Sequence, residues 1–203
     1  MKCAPGPGGN DLHGSAPDES PLALVLIDVI NDLDFKGNQA IVKVASRMAR
    51  SIAALKRRVK AAGVPVIYVN DNFGLWQSDF RKLIEHCLND GEEVARILRP
   101  EDDDYFVLKP KHSGFYSTTR DTLLRYLGAS SVILTGIAAN ICVLFTANDA
   151  YMRDLKLFVP EDCTVSNSEE ENRFAMEQMR RILKADIRPS VKINFGELLK
   201  DAA

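Results

Sequence analysis

The chain has 203 residues, 46% hydrophobic and 27% charged, which is the composition of an ordinary globular domain. Its 26 basic and 28 acidic residues nearly cancel, so the sequence carries no electrostatic footprint for binding a nucleic acid. No apolar run approaches the roughly 20 residues that a membrane span requires. We therefore expect one globular domain that binds neither nucleic acid nor membrane.

The N-terminal segment differs in composition from the rest of the chain. Residues 1–20 are rich in glycine, proline and serine and lack the apolar centre of a signal peptide, so we expect a flexible arm there. Residues 21–199 contain no repeat or linker, and residues 21–203 are predicted to form a single domain. The four cysteines include no C-x-x-C pair, which together with the missing secretory signal indicates a reduced, cytoplasmic protein.

From residue 22 onward, strand-like and helix-like segments alternate. Aliphatic runs predict buried strands at 22–30, 64–70, 104–110, 131–136 and 155–160, followed by a short strand in "ADIRP". Helical spacing predicts helices over 38–62, 78–88, 92–98, 118–128, 139–153 and 168–184. This alternation indicates a mostly parallel sheet covered by helices on both faces, which is a three-layer αβα sandwich.

Ligands of such sheets bind beyond the carboxyl ends of the strands, and reactive side chains occur at three of these ends. Asp28 lies near the end of the first strand and is either a general base or a partner for a basic side chain. Lys109 ends the third strand, where it could pair with Asp28 or stabilise a thiolate. Lys111, two residues further on, fits the same spacing.

Cys142 follows the fourth strand. A cysteine in a folded protein is most often an inert buried side chain. If the strand ends at Gly136 and a helix begins near Ala139, however, the thiol lies in the first helical turn. Backbone N–H groups there favour a thiolate and are able to hold an oxyanion. A histidine partner for the thiol would have to be His86 or His112, of which His112 is the better placed, and position alone leaves nucleophile and inert thiol open.

The sequence lacks the common motifs of cofactor and metal sites. It has no G-x-G-x-x-G after a strand, no phosphate-binding loop, no H-E-x-x-H and no G-x-S-x-G, and its three histidines do not have metal-ligand spacing. We therefore expect no cofactor and no metal. A Rossmann-type oxidoreductase is disfavoured because the glycines that would hold its cofactor's phosphates are missing.

Three blocks of the sequence carry a family resemblance: "LVLIDVIND", "FVLKPKHSGFYSTTRDTLLRYL" and "VILTGIAANICVLFTANDAYMRDLKLFVPEDC". Over most of residues 21–190 the chain resembles the isochorismatase-like cysteine hydrolases, the superfamily of nicotinamidase and N-carbamoylsarcosine amidohydrolase. The resemblance implies a catalytic triad of Asp28, Lys109 and Cys142. The family pattern Lys-Pro-x-x-Ser-x-Phe selects Lys109 over Lys111.

The resemblance also implies structure around the triad. It implies a six-stranded sheet of order 3-2-1-4-5-6 and a cis peptide bond between Ile137 and Ala138. The backbone amides of Ala138 and Cys142 would then form the oxyanion hole. Assembly as a homo-oligomer, a dimer or a tetramer, is expected from the habit of the family.

Three departures from the family pattern narrow the expected chemistry. Ile30 stands where the family often has glutamine, and Ala139 stands where threonine is common. Nicotinamidases have an Asp-x-His metal site after the second strand, but here Asp71 is followed by Phe73, which argues against that metal site and against nicotinamidase itself. Members that hydrolyse the vinyl ether of isochorismate lack the nucleophilic cysteine, so Cys142 argues against that branch.

The expected function is hydrolysis of an amide or carbamoyl C–N bond in a small molecule through a thioester on Cys142. Asp28 would take the thiol proton, protonate the leaving nitrogen and then activate water, while Lys109 stabilises charge around the pair. The expected pocket walls are Phe35, Trp76 and Phe115, although aromatic side chains at these places fit a core equally well. The alternative is a non-catalytic module that binds a small molecule or a partner, in which Cys142 would not be unusually reactive.

Overall fold

The computed structural model describes residues 19–33, 39–71, 74, 79–89 and 93–200. The strands are β1 (Leu22–Ile27), β2 (Val66–Asp71), β3 (Tyr105–Lys109), β4 (Ser131–Ile137), β5 (Lys156–Phe158) and β6 (Thr164–Val165). The helices are α1 (Gln39–Ala61), α2 (Phe80–Asn89), α3 (Glu93–Ile97), α4 (Arg120–Tyr126), α5 (Leu144–Tyr151), α6 (Glu169–Arg181) and α7 (Phe195–Lys200). Residues 1–18 of the predicted arm lie outside the described residues.

The strands form one sheet, and every described pairing in it is parallel. Its order is β3-β2-β1-β4-β5, with β6 also paired to β4. The predicted αβα sandwich with a six-stranded sheet is thereby confirmed. Because β1 occupies one side of β4, β5 and β6 share the other side, where β5 pairs with the first half of β4 and β6 with Gly136 and Ile137.

The sixth strand differs in position from the short strand predicted in "ADIRP". That segment contributes a single bridge, in which Asp186 exchanges hydrogen bonds with Leu157 and Val159. The ladder does not continue, because the backbone N–H of Arg188, the next donor in the parallel pattern, donates to the Asp186 side chain at 3.0 Å. The chain instead leaves β5 through a 3₁₀ turn at Glu161–Cys163 and rejoins the sheet as β6.

The two faces of the sheet bury two separate sets of side chains. Alternating residues of β1 illustrate the division, because successive side chains of a strand point to opposite faces. Leu24 and its neighbours on that face pack with α1, α2, α3 and α7. Val25 and its neighbours on the other face pack with α4, α5 and α6. Helix α1 is the longest described helix, and among the described residues no helix is both long and apolar enough to cross a membrane.

The predicted helix at 139–153 is divided in the structure. It begins as a π-helical turn at Ala139–Val143 and becomes regular only in α5. Helix α7 was not predicted, because its six residues are too few to display a helical period.

Candidate active site

The carboxyl edge of the sheet brings the ends of β1 and β4 unusually close together. Gly136 on β4 lies opposite Ile27 on β1 and has a φ of 115°, a conformation that favours glycine. A Cβ atom at position 136 would lie 2.0 Å from the carbonyl oxygen of Ile27. The glycine predicted to end the strand therefore permits the contact that sets Asp28 beside the turn carrying Cys142.

Asp28 follows β1 with a φ of 51° and has both carboxylate oxygens engaged. Oδ1 accepts the backbone N–H of Asp71 at 2.7 Å, and Oδ2 lies 2.8 Å from Lys109 Nζ. Lys109 belongs to β3, two strands from β1, so its side chain must cross the end of β2 to reach the carboxylate. With neighbouring strands roughly 4.8 Å apart, only a long side chain makes that contact.

Cys142 completes the cluster from the other side of β1. Its Sγ atom lies 3.5 Å from Lys109 Nζ, and its side chain also interacts with the Asp28 carboxylate. The turn that carries it follows a cis Ile137–Ala138 peptide bond and is closed by the N–H of Val143, which donates to the carbonyl of Ala138 at 3.1 Å. The structure thus brings together the three residues singled out in the sequence.

The thiol is held in its neutral form. Burial, and then the negative charge of Asp28, raise the pKa of Cys142 to about 12, although Lys109 acts in the opposite direction. This corrects the expectation that the first helical turn favours a thiolate. Burial also raises the pKa of Asp28 above its ordinary value, against the opposing charge of Lys109. A thiol that keeps its proton therefore lies beside a carboxylate with increased proton affinity, which is the arrangement a general base requires.

Lys109 remains charged between the two acidic groups. Burial alone would lower its pKa, but the negative charge of Asp28, together with the interaction with Cys142, outweighs burial and raises it. The side chain is only 1% exposed, which makes this ammonium group a fixed positive charge next to the sulfur atom. Lys111, the alternative with the same spacing, is exposed.

His112 occupies the exposed side of the thiol. Its Nδ1 atom lies 3.8 Å from Cys142 Sγ, and its ring packs at 52° against the Phe145 ring with 5.6 Å between centroids. The other candidate histidine, His86, contacts Asp32 instead, with Nε2 3.2 Å from the carboxylate. Of the two, His112 is therefore the one that the fold places at the thiol.

Hydrogen bonds to α5 brace the loop that follows Lys109. The Ser113 hydroxyl donates to the Asp149 carboxylate, and the N–H of Gly114 donates to Thr146 Oγ1 at 2.9 Å. Thr146 lies one helical turn after Cys142, so the loop and the nucleophile turn are tied to the same helix. Sequence reasoning missed Thr146 and Asp149, and their position four and seven residues after the cysteine was the available signal.

The predicted pocket walls are only partly described. Phe35 and Trp76 lie outside the described residues. Phe115 is 5% exposed and packs in the core between the sheet and helices α4, α5 and α6. The guanidinium groups of Arg120 and Arg153 lie 4.0 and 4.4 Å from the centre of its ring. Phe115 therefore lies in the core, which is the alternative that the sequence left open for these aromatic residues.

The metal site of nicotinamidases falls on Asp71 and on Phe73, which is itself outside the described residues. Within the described part of the chain, no group of three or more histidine, cysteine, aspartate or glutamate side chains is arranged to hold a metal ion. The backbone of Asp71 instead serves the carboxylate of Asp28.

An αβα sandwich with a carboxylate, an ammonium group and a thiol in contact at the carboxyl edge of its sheet defines an α/β enzyme with a thiol at its centre. The model of the isochorismatase domain matches residues 22–186. The chain belongs to the isochorismatase family, and like the family it is a hydrolase.

Three relatives show how widely this similarity extends. The chain is 43% identical over 166 residues to the isochorismatase family protein YaaI of Bacillus subtilis, covering 81% of this chain and 92% of that protein. It is 31% identical over 171 residues to the isochorismatase of the same organism, covering 79% of this chain but only 53% of that protein. The crystal structure of N-carbamoylsarcosine amidase from Thermoplasma acidophilum superposes with a TM-score of 0.68 and 28% identity, covering 85% of this chain and 98% of that one.

Proposed function

We propose that this hydrolase cleaves an amide or carbamoyl C–N bond of a small molecule through a thioester on Cys142. The observation that carries the proposal is the contact chain from Cys142 Sγ to Lys109 Nζ at 3.5 Å and onward to Asp28 Oδ2 at 2.8 Å. A thiol, a charge-stabilising ammonium group and a carboxylate base are the parts that covalent acyl transfer needs.

The first half of the reaction follows from the charges of the cluster. Asp28 takes the proton of the Cys142 thiol, and the thiolate formed next to Lys109 attacks the substrate carbonyl. The backbone amides of Ala138 and Cys142 belong to the turn that would face the substrate carbonyl, and we assign to them the role of hydrogen-bond donors to the developing oxyanion. As the C–N bond breaks, the leaving nitrogen takes up a proton. Water then hydrolyses the thioester and the thiol is restored.

The choice of a C–N bond over an ether rests on the thiol and on similarity. The neighbour N-carbamoylsarcosine amidase is named for cleavage of a carbamoyl compound, and it matches nearly its whole length. The isochorismatase relative is matched over only about half of its length. Hydrolysis of a vinyl ether has no use for a nucleophilic sulfur, whereas thioester formation depends on one.

A pair of cysteine substitutions tests the proposal. We expect Cys142→Ala to lose hydrolysis of every active member of a panel of small amides, ureas and carbamoyl compounds, because the bond-forming atom is gone. Cys163→Ala removes a buried thiol away from the cluster and should lower the melting temperature while leaving turnover per folded molecule in place. Intact-mass analysis should show an acyl adduct on the parent enzyme and none on Cys142→Ala.

The same panel includes isochorismate as a further arm. Full activity of Cys142→Ala on an amide, or hydrolysis of isochorismate alone, would contradict the proposal. Both results are distinguishable from a folding defect, because the thermal denaturation of each variant is recorded alongside its turnover.

A further inference from the structure

The sulfur atom of Cys142 has two chemically different sides. On the buried side lie Lys109 Nζ and the Asp28 carboxylate, whose side chains are 1% and 8% exposed. On the exposed side lies His112, with Nδ1 3.8 Å from Sγ. A substrate must approach from the exposed side, because the buried side is filled by the ion pair.

The carboxylate is poorly placed to serve that exposed side. Asp28 Oδ1 is occupied by the N–H of Asp71 and Oδ2 by the ammonium group of Lys109. Its remaining capacity is directed at the thiol, whose proton it takes. The leaving nitrogen departs, and the hydrolytic water arrives, on the other side of the sulfur. A second proton-transfer group is needed there.

His112 has the position and chemistry of that group. Imidazole both donates and accepts protons, and Nδ1 is close enough to Sγ to reach a nitrogen bonded to the carbon that the sulfur attacks. The ring is held in place by its contact with Phe145, which is half-exposed on the first turn of α5. The contact therefore orients the imidazole from the helix that follows the nucleophile turn.

We propose that His112 is a further catalytic residue, the acid that protonates the leaving nitrogen and the base that later deprotonates the hydrolytic water. The proposal rests on the thioester route proposed above. It divides between two residues the proton transfers that the family resemblance gives to Asp28 alone. Asp28 serves the sulfur, and His112 serves the open side.

The protons balance over the cycle. Asp28 takes the thiol proton as Sγ bonds to the carbonyl carbon, and His112, entering as the imidazolium, donates its proton to the nitrogen as the C–N bond breaks. Neutral His112 then takes a proton from water as the water oxygen bonds to the thioester carbon. The C–S bond breaks with its electron pair on sulfur, and Asp28 returns the proton to the sulfur. Both residues end in the state in which they began.

An activated ester separates the two halves of this cycle. With p-nitrophenyl acetate, the leaving phenolate needs no proton, so His112→Gln should still release a burst of p-nitrophenol. Hydrolysis of the acetyl-enzyme, however, requires the water to be deprotonated. We expect the acetyl adduct on Cys142, followed by intact mass after excess ester is removed, to last on the order of a hundredfold longer in His112→Gln than in the parent.

Two further variants make the result specific. His86→Gln is the matched control, an exposed histidine on α2 that contacts Asp32, and its acetyl adduct should decay at the parental rate. His112→Ala opens space at the thiol, and added imidazole should shorten the lifetime of its adduct. A role for His112 in structure alone would show no such rescue.

The outcomes separate this inference from the function on which it rests. An acetyl adduct on Cys142 that decays equally fast in the parent and in His112→Gln would overturn the role of His112 and leave the thioester route standing. A parent enzyme in which Cys142 is never acetylated would count against the thioester route and against both proposals.

Discussion

The two edges of the sheet each hold a buried lysine–aspartate pair, and the pairs have different surroundings. At the carboxyl edge, Lys109 lies 2.8 Å from Asp28. At the amino edge, just before β3, Asp104 lies 2.5 Å from Lys56 of α1. All four side chains are at most 8% exposed, so burial and geometry alone do not tell the two pairs apart.

The other partners of each lysine make the difference. Lys56 also contacts Glu101 at 3.0 Å and the Tyr68 hydroxyl at 3.2 Å, so acceptors saturate its ammonium group. The carboxylate has no proton to give up at neutral pH, and the tyrosine holds its proton firmly. Burial and the nearby carboxylates raise the pKa of Tyr68 further. Lys109 instead meets a thiol that borders an exposed histidine. A buried ion pair is therefore structural where fixed acceptors enclose it, and chemical where a transferable proton and an opening adjoin it.

The largest expected effect comes from removing the carboxyl-edge lysine. Lys109→Met should lower turnover on the order of a thousandfold, because the thiolate loses its fixed positive charge and Asp28 is left as an unpaired buried acid. Lys111→Met removes an exposed lysine from the same loop and should leave turnover near the parental value. Steady-state kinetics on the most active amide of the panel gives the comparison, and equal losses in both variants would contradict the assignment of Lys109.

The amino-edge pair should respond in stability and not in turnover. Lys56→Met leaves Asp104 buried without its closest partner, and we expect the free energy of unfolding in urea to fall by about 3–5 kcal/mol. Turnover per folded molecule should stay parental, in contrast to Lys109→Met. The double variant Lys56→Met with Asp104→Leu removes both buried charges and should regain part of the loss. A turnover defect in Lys56→Met would mean that the two edges do not have separate roles.

The sequence predicted the parts of the site that depend only on the strands being parallel. Asp28, Lys109 and Cys142 each follow or end an aliphatic run, and a parallel sheet necessarily gathers such residues at one edge. The register that opposes Gly136 to Ile27, and the reach of Lys109 across β2, were not predictable, because they depend on which strands are neighbours. The family resemblance supplied that order.

The sequence failed where long-range contacts outweigh local ones. A position in the first helical turn favours a thiolate at Cys142, but burial and the charge of Asp28 raise the pKa of its thiol. For Phe115 the sequence left pocket wall and core equally open, and the residue lies in the core beside Arg120, a fully buried guanidinium that no local sequence pattern predicts. The sixth strand, β6, was predicted in the wrong segment, because its pairing partner on β4 lies about 30 residues earlier in the chain.

The smallest expected effect concerns the rim of the amino-edge pair. Lys60 contacts Glu101 at 2.9 Å and Asp103 at 2.6 Å, and these contacts lower the pKa of both carboxyl groups below their ordinary values of 4.5 and 3.8. Burial would lower the pKa of Lys60, but its acidic partners outweigh burial and raise it above 10.5. Lys60 also lies 3.2 Å from the buried Asp104 carboxylate. The Glu101 and Asp103 carboxyl groups are more than half exposed, so solvent screens these two contacts, and the whole contribution is about 1 kcal/mol.

The direction of each shift fixes the pH range of this contribution. Carboxyl groups with lowered pKa values stabilise the fold at a pH above their ordinary pKa values, and this stabilisation is lost as the pH falls through their lowered pKa values. A lysine with a raised pKa stabilises the fold below pH 10.5 and loses this effect as the pH rises beyond it. The Lys60→Met variant should therefore be less stable than the parent by about 1 kcal/mol at pH 7 and low salt, because it loses the contact with the buried Asp104 as well as the two exposed contacts. The gap should narrow at pH 3 and in high salt, while Lys192→Met, an exposed lysine elsewhere, should show no such narrowing. A stability difference between the parent and Lys60→Met of the same size at pH 3 and pH 7 would show that Lys60 stabilises this edge by packing and not by charge. The ion pairs around Lys56 would then not extend to Lys60.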